Sequence, residues 1–468
     1  MFTASVVRKQ YAVGHGGFHA GKITVRKDEL HIPELMLFDA KDATGKSTTV
    51  LEKFYVYDCG SESPQSFDRS LGNHERMTGG RTDLLFISHL DSDHVNKIDR
   101  LMGTTPAKIV VLPYLEPEDL SELLVREVDG GSATASIRDY VRDPGGWWRR
   151  HGADVVIFVE PGNGEDQPPS GGVPDKPIDP EGPLPISPGS EEGLQARLTL
   201  IVNKPRKAPP KDFVTVPYNT PRDVDRELSS GSLLAGCGSH FRLEWRKDAS
   251  DRWRLGDWIL LPYVHPVENE MRAAFRQAIR NELGLNSLDS ETFASALLEK
   301  LSSDRKKLVT LYNDHFEVGQ NAISMSLYSG PGRSLGSQSG SDWLVPAGDT
   351  PIGYSMRPSP AAWLATGDSK LKQSSRRQPW HSFFNPFSKQ ICILSLPHHG
   401  SSKDFHEEVL NFDGLALAVA TTIRDRNRVA GLEDTLSQVQ AAGKQYKIVD
   451  DRAETEFHFM CARAMQPT

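Results

Sequence analysis

Between Phe86 and Ile98 the chain reads F-I-S-H-L-D-S-D-H-V-N-K-I, which places His89, Asp91, Asp93 and His94 within six residues. Two imidazoles and two carboxylates so close together form a costly knot of charge and polarity. The mixture of nitrogen and oxygen donors suits Zn²⁺ or Mn²⁺. The competing reading is a solvated loop in which acidic residues and histidines happen to cluster. A β-type run, Leu84 to Ile87, precedes the four residues, so they can converge where a strand turns toward a helix. Two later stretches repeat this arrangement. W-L-A-T-G-D-S, from Trp363, ends an apolar strand at Gly367-Asp368, and I-C-I-L-S-L-P-H-H-G-S-S, from Ile391, ends another at His398-His399. Both place a donor at the C-terminal end of a strand, where α/β proteins gather their sites.

The order H-x-D-x-D-H, then T-G-D, then P-H-H-G-S resembles the metallo-β-lactamase superfamily. Within it, the pattern looks most like the DNA-internalisation competence proteins of the ComEC type, which carry Asp where most members have the second His of H-x-H-x-D-H. The resemblance covers residues near 50–112 and 257–461, and is weaker at F-Y-V-Y-D-C-G (Phe54 to Gly60) and N-A-I-S-M-S-L-Y-S (Asn321 to Ser329). It implies an α/β (α+β) fold, the αββα sandwich: two mixed β-sheets face to face, helices outside, metals at one edge. It also implies two divalent metal ions, Zn or Mn. His89 and Asp91 would hold the first, Asp93 and His94 the second, Asp368 would bridge both, and one of His398 and His399 would complete the second. Asp91 in place of a histidine hardens the first site and favours Mn²⁺ modestly. Asp58, in D-C-G, would support the metal loop from behind.

In the implied chemistry, two cations about 4 Å apart lower the pKa of a water and stabilise the oxyanion of an in-line displacement. Asp93 would orient the hydroxide. The histidine not used as a ligand, expected to be His398, would protonate the leaving oxygen or contact a phosphate. His265 closes W-I-L-L-P-Y-V-H and is either a further ligand, as in many superfamily members, or a capping and packing residue; the competence subgroup usually lacks a His there. Lys370, Arg376 and Arg377 make a basic patch beside Asp368 in sequence, suited to an anionic phosphodiester or else part of an exposed connecting loop. Ser401 is placed to help bind the anion. The leading expectation is a phosphodiesterase or nuclease acting on DNA or another nucleic acid. The alternatives are a hydrolase of a small ester, thioester, lactone or nucleotide, and a component of a multi-protein system, such as anti-phage defence, acting with a protein partner.

The elements that must position these residues fit a chain of 468 residues with 38% hydrophobic and 25% charged side chains. Mean hydropathy of −0.45 and the lack of a long uncharged apolar run argue against membrane insertion. The competence proteins carry their metallo-domain on a membrane channel, so uptake itself is not implied. Four widely spaced cysteines without a C-x-x-C pair, and no evident signal peptide, read as a cytoplasmic protein. A net charge of −8 gives no global footprint for nucleic acid.

Residues 1–114 read as the N-terminal half of the sandwich and 256–468 as the C-terminal half, with 115–255 inserted between them. The insertion contains a Pro/Gly-rich stretch, 160–190, read as flexible. Strands are expected at Val6 to Val13, Lys22 to Arg26, Val50 to Asp58, Ile109 to Pro113, Val155 to Val159 and Leu198 to Val202. Helices are expected at Val95 to Met102, Glu118 to Val128, Ser132 to Val141, Glu268 to Leu283 and Glu291 to Tyr312. Asn96-Lys97 stands where the family usually has paired glycines. His15 and His19, in G-H-G-G-F-H-A-G, read as turn chemistry rather than ligation. Trp147-Trp148 reads as a half-buried pair rather than a base-stacking platform, and the basic segment Lys204 to Lys211 as an exposed loop rather than a phosphate contact.

Overall fold

The apolar runs of the sequence become strands, and the strands assemble into two mixed sheets. The computed structural model describes residues 2–27, 48–116, 120, 135–169, 195–246, 254–265, 269–285, 290–315, 323–332, 343–347, 355–423 and 426–465. In chain order the strands are β1 (Phe2–Gln10), β2 (His19–Lys27), β3 (Thr48–Tyr57), β4 (Thr82–Phe86), β5 (Ala107–Pro113), β6 (Val155–Val159), β7 (Gln195–Ile201), β8 (Arg222–Asp223), β9 (Gly231–Ala235) and β10 (His240–Arg246). They continue with β11 (Arg254–Val264), β12 (Met325–Gly330), β13 (Leu344–Ala347), β14 (Ser355–Pro358), β15 (Ala362–Ala365), β16 (Ile391–Ser395), β17 (Leu417–Thr421), β18 (Gln445–Val449) and β19 (Phe457–Met465). The helices are α1 (Pro64–Thr78), α2 (Ser92–Val95), α3 (Ile98–Thr104), α4 (Ala135–Arg142), α5 (Pro144–Arg150), α6 (Asn269–Leu283), α7 (Ser290–Ser303), α8 (Arg305–His315), α9 (Ser374–Phe384) and α10 (Arg426–Ala441).

The first sheet runs β14-β13-β19-β1-β2-β3-β4-β5-β6-β9 and the second β18-β17-β16-β15-β12-β11-β10-β7-β8. Strands β3 to β6 and β9 are parallel to one another, as are β15 to β18, while the other pairings are antiparallel. A parallel strand buried on both faces reads as a continuous apolar run, which is why Leu84-Leu85-Phe86-Ile87 shows no alternation. Leu84 and Phe86 face the second sheet, where they join Phe241, Leu260 and Met325. Leu85 and Ile87 face the opposite way, onto Phe67, Leu101, Trp148 and Phe275 of the helices. Tyr263, Tyr328 and Leu394 on the outer face of the second sheet pack against Trp380 and Phe384 of α9 and Leu432 of α10. Three apolar layers thus separate four layers of structure, the expected αββα order.

Several local expectations are corrected. The helix expected over Val95 to Met102 is two short helices broken at Asn96-Lys97. The Asn96 side chain brackets Ser61, accepting from its amide at 3.0 Å and donating to its carbonyl at 3.0 Å, and Lys97 N donates to Cys59 O. The long helix over Glu291 to Tyr312 is α7 and α8, divided at Asp304, whose carboxylate accepts from Lys307 N. Trp147 and Trp148 are fully part of the core rather than half-buried. The stretch after Asp368, read as a basic substrate patch or else an exposed connecting loop, contains α9 despite its internal Pro379, because Trp380, Phe383 and Phe384 dock on the second sheet. Residues 115–255 contribute β6 and β9 to the first sheet and β7, β8 and β10 to the second, so they widen both. The helix expected over Glu118 to Val128, save Leu120, and most of the 160–190 stretch lie outside the described residues. The four cysteines are buried free thiols, and among the described residues no helix is long and apolar enough to cross a membrane.

Burial also keeps His74 and His240 neutral, holding both well below the ordinary imidazole value of 6.5, at about 4. The unfolded chain therefore takes up these protons near pH 6.5 and the folded chain only near pH 4. Their stabilising effect is complete above pH 6.5 and is lost as pH falls from 6.5 to 4, on the order of 3 kcal/mol for each. Denaturant unfolding of the wild type should weaken across that window, and less steeply in His74→Gln. Equal slopes for the two proteins would contradict this account of His74.

Candidate metal centre

The C-terminal ends of the parallel strands of both sheets meet at one edge of the sandwich. From the first sheet, β3 leads into Asp58 and β4 into Ser88 and His89, followed by Asp91 and by Asp93 and His94 on α2. From the second, β15 leads into Asp368, β16 into His398-His399 and β17 ends at Thr421. The histidine pair lies in a tight turn, Pro397–Gly400, with left-handed backbone at both histidines.

Two donor sets form there. Asp93, His94, Asp368 and His399 offer atoms that all lie within 4.8 Å of one another, as do His89, Asp91 and Asp368. Four donors about 2.1 Å from one ion stand roughly 3.4 Å apart in tetrahedral geometry. In the larger set, His94 Nε2 lies 3.1 Å from Asp368 Oδ1, 3.5 Å from Asp93 Oδ2 and 3.3 Å from His399 Nε2. His399 Nε2 lies 3.1 Å from Asp93 Oδ2 and 3.7 Å from Asp368 Oδ1. In the smaller set, His89 Nε2 stands 3.6 Å from both Asp91 Oδ2 and Asp368 Oδ2. These are ligand-to-ligand spacings, and Asp368 gives one oxygen to each set. The residues present therefore fit two divalent ions, the first among His89, Asp91 and Asp368 and the second among Asp93, His94, Asp368 and His399.

The histidines are oriented from behind. Asp58 is buried and accepts from Ser88 N, Ser88 Oγ and His94 Nδ1, at 2.7, 2.7 and 2.8 Å. The Ser88 hydroxyl has one hydrogen and gives it to Asp58. It must therefore accept from His89 Nδ1 at 2.8 Å. Thr421 Oγ1 lies 3.1 Å from His399 Nδ1. With their Nδ1 atoms engaged outward, His94 and His399 present Nε2 to each other, an arrangement that needs a cation or a proton between them.

Without metal, protons supply that charge. Burial and His94 both work against a charged His89, but Asp91 and Asp368 prevail and push it up to about 9. Burial likewise opposes a charged His94, and the carboxylates of Asp368, Asp93 and Asp58 raise it well above 6.5. Burial would raise Asp93 and Asp368, yet the surrounding imidazoles hold both well below the usual carboxylate range. Metal binding at this edge therefore displaces protons.

Other expected site residues lie elsewhere. His265 is buried and joins neither set. The Ser369 hydroxyl donates to Thr366 O, so it accepts from His265 Nε2 at 2.7 Å, and that nitrogen carries a hydrogen rather than a lone pair. Of its two readings, further ligand or packing residue, this geometry matches the second, with His265 clamping the residue after Asp368. The basic patch is corrected. Arg376 and Arg377 are only 5% and 6% exposed, and the Arg377 guanidinium is committed to Glu408 and to the carbonyls of Leu371 and Lys372. Lys370 and Ser401 stay half-buried at the rim, with Ser401 N donating to His398 O at 2.9 Å. In the Lys204 to Lys211 segment, Lys207 pairs with Glu116 and Arg206 with Asp166, so two of its four positive charges are met within the chain.

Sequence reasoning set His15 aside, yet its Nε2 lies 3.6 Å from Asp93 Oδ2 and its ring packs 4.0 Å from His399. The signal was the glycines around it. A Cβ on Gly16 would fall 2.6 Å from Asp93 O, and one on Gly60 2.1 Å from the same atom. The close approach of these loops to Asp93 and His94 is the reason for the run of glycines, beyond turn chemistry.

No family model matches this chain, and no curated protein matches it. Among solved structures, it is similar to the crystal structure of the metallo-β-lactamase fold protein YhfI from Bacillus subtilis, at 7% identity over 97% of this chain and 99% of that one, with a TM-score of 0.32.

Replacing Asp58 by Ala should weaken metal binding about 10- to 100-fold, because His94 loses its partner and Ser88 its acceptor. Titration of the metal-free protein with Zn²⁺ against a competing chelator reads this directly. Unchanged affinity would show that Asp58 serves the fold alone.

Proposed function

We propose that this chain is a metal-dependent hydrolase whose substrates are phosphodiesters, nucleic acids foremost. The observation that carries the reading is Asp368, a buried carboxylate whose Oδ1 faces His94 and His399 and whose Oδ2 faces His89. One carboxylate shared by two donor sets places two ions close enough for two-metal hydrolysis. Two divalent ions held there supply Lewis acidity and a water of lowered pKa.

The chain's own residues do the rest. His89, Asp91 and Asp368 hold one ion, and Asp93, His94, Asp368 and His399 the other. Asp93 is the least enclosed carboxylate of its set, with 19% of its side chain exposed, and accepts a hydrogen from the attacking water so that a lone pair faces the substrate. Asp58 keeps His94 in one tautomer throughout. Gly16, Gly17 and Gly60 let the chain pass close against Asp93 and His94, where a Cβ would clash. Lys370 and Ser401 meet the anionic substrate there. A small ester, thioester or nucleotide is the second reading, favoured by the burial of Arg376 and Arg377, which leaves a modest positive rim.

Metal content and hydrolysis should be measured on one preparation of wild type beside Asp93→Asn, with DNA, RNA, a bis-aryl phosphodiester and an aryl ester as substrates. Close to two equivalents of Zn or Mn, with phosphodiester cleavage lowered about 10²- to 10⁴-fold in the variant, is the expected result. Ester cleavage alone moves the assignment to the second reading. Cleavage that survives unchanged in Asp93→Asn removes this site from the chemistry.

A further inference from the structure

Under the two-metal reading above, the first ion has three donors and the second four. His398 stands beside the shorter set. Its Nε2 lies 3.5 Å from Asp368 Oδ2, the same oxygen that lies 3.6 Å from His89 Nε2. It thus sits 3.5 Å from the shared carboxylate but outside the set of His89, Asp91 and Asp368 whose atoms all lie within 4.8 Å of one another, so ligation requires its ring to move inward on metal binding. Its Nδ1 is 2.6 Å from Asp404 Oδ2. The other three imidazoles of the site show the same build, with Nδ1 engaged by Ser88, Asp58 or Thr421 and Nε2 turned inward.

We infer that His398 is the fourth protein ligand of the first metal site, and that Asp404 is the residue that positions it. The two sites then become equivalent in composition. Each has two imidazole nitrogens, one carboxylate of its own (Asp91 or Asp93) and one oxygen of Asp368. The backbone supports this assignment. His398 and His399 both adopt left-handed φ, at 46° and 59°, a conformation that is strained outside glycine and is held only where surroundings impose it. Here His398 N donates to Gly367 O at 3.0 Å, which locks the histidine pair to the Asp368 loop. With consecutive residues both left-handed, the two rings leave the chain toward opposite halves of Asp368: His399 to Oδ1 and His398 to Oδ2.

Asp404 is placed by its own turn. Its amide donates to Ser401 O at 3.1 Å, and Phe405 beside it is buried in the outer core of the second sheet. A carboxylate behind a ligating imidazole fixes the tautomer and raises ligand basicity. This role withdraws His398 from donating a proton to the leaving oxygen, since Nε2 would be committed to the metal.

The test uses the full chain, stripped with chelator and reloaded with Co²⁺. Bound metal is counted by mass spectrometry and ligand number is read from the visible d–d absorption. Wild type is expected to bind two equivalents. His398→Ala should bind one tightly and the other at least about 100-fold more weakly, with a shifted spectrum for the weak site. Asp404→Ala should keep both equivalents but weaken one of them about 10- to 100-fold. His398→Gln reads the same quantity should the alanine variant fail to fold. Two equivalents at wild-type affinity, with an unchanged spectrum, in both His398 variants would overturn the assignment and return His398 to the role of proton donor. Fewer than two equivalents in folded wild type would overturn the two-metal reading itself, and this inference with it.

Discussion

Asp368 ties the chemistry of one sheet to that of the other. Its two oxygens face donors delivered by β4 and α2 on one side and by the turn after β16 on the other. A carboxylate can serve two donor sets only if the sheets carrying them are held in fixed relation. Face-to-face packing of apolar side chains provides the affinity between the sheets but little register, because dispersion and hydrophobic burial are not directional. Register here comes from polar ties that cross the sandwich.

Those ties cluster on β12, the strand of the second sheet nearest the donor loops of the first. Met325 N donates to Ser88 O at 2.8 Å, immediately before His89. Tyr57 Oη donates to Met325 O at 2.6 Å, Tyr55 Oη to Ser329 Oγ at 2.8 Å, and Arg8 Nη1 to Ser329 O at 3.0 Å. Arg8 also reaches Ala361 O at 2.6 Å and lies against the rings of Trp258 and Phe459. Buried bonds of this kind contribute about 1 kcal/mol each when both groups are neutral and more when one is charged, and leaving one partner unmet costs more than the bond yields. A slip of one residue between the sheets would break the whole series at once. The sandwich therefore has one register, and that register brings Asp368 to His89 and His94.

Much of this site was legible because its ligands are local in sequence. H-x-D-x-D-H places four donors within six residues, T-G-D and P-H-H-G each end a strand, and the structure brings these stretches together in two groups of potential donors. The residues that support the ligands were less visible, since Ser88, Thr421 and Asp404 are ordinary types whose role depends on what faces them. Asp58 was found through its motif. The basic-patch reading let sequence adjacency stand in for spatial adjacency. Arg376 and Arg377 follow Asp368 by a few residues, yet packing of α9 turns them into the protein, where Arg377 meets Glu408. His265 ends a strand beside Asp368 but is occupied by Ser369. His15, distant in the chain, touches the ligands instead. Segment 115–255 carries no motif, so its strands gave no sign that they would extend both sheets.

The protonation of the site explains how so many carboxylates share one buried edge. Asp58, Asp91, Asp93, Asp368 and Asp404 stand among four imidazoles, and burial alone would push Asp93 and Asp368 toward their neutral forms. Burial opposes positive charge on His398 too, yet Asp368 and Asp404 raise it above 6.5, as the neighbouring carboxylates do for His89 and His94. The metal-free site thus carries positive charge as protons on the imidazoles, held by the oxygens that would otherwise face metal. Exchange of protons for divalent cations leaves the charge balance near where it was. The backbone that presents the donors, including the left-handed turns at Asp58, His398 and His399, is held by amide bonds and cross-sheet ties that involve no metal. The donor arrangement is accordingly a property of the folded chain itself, so the binding energy of the ions need not be spent on assembling it.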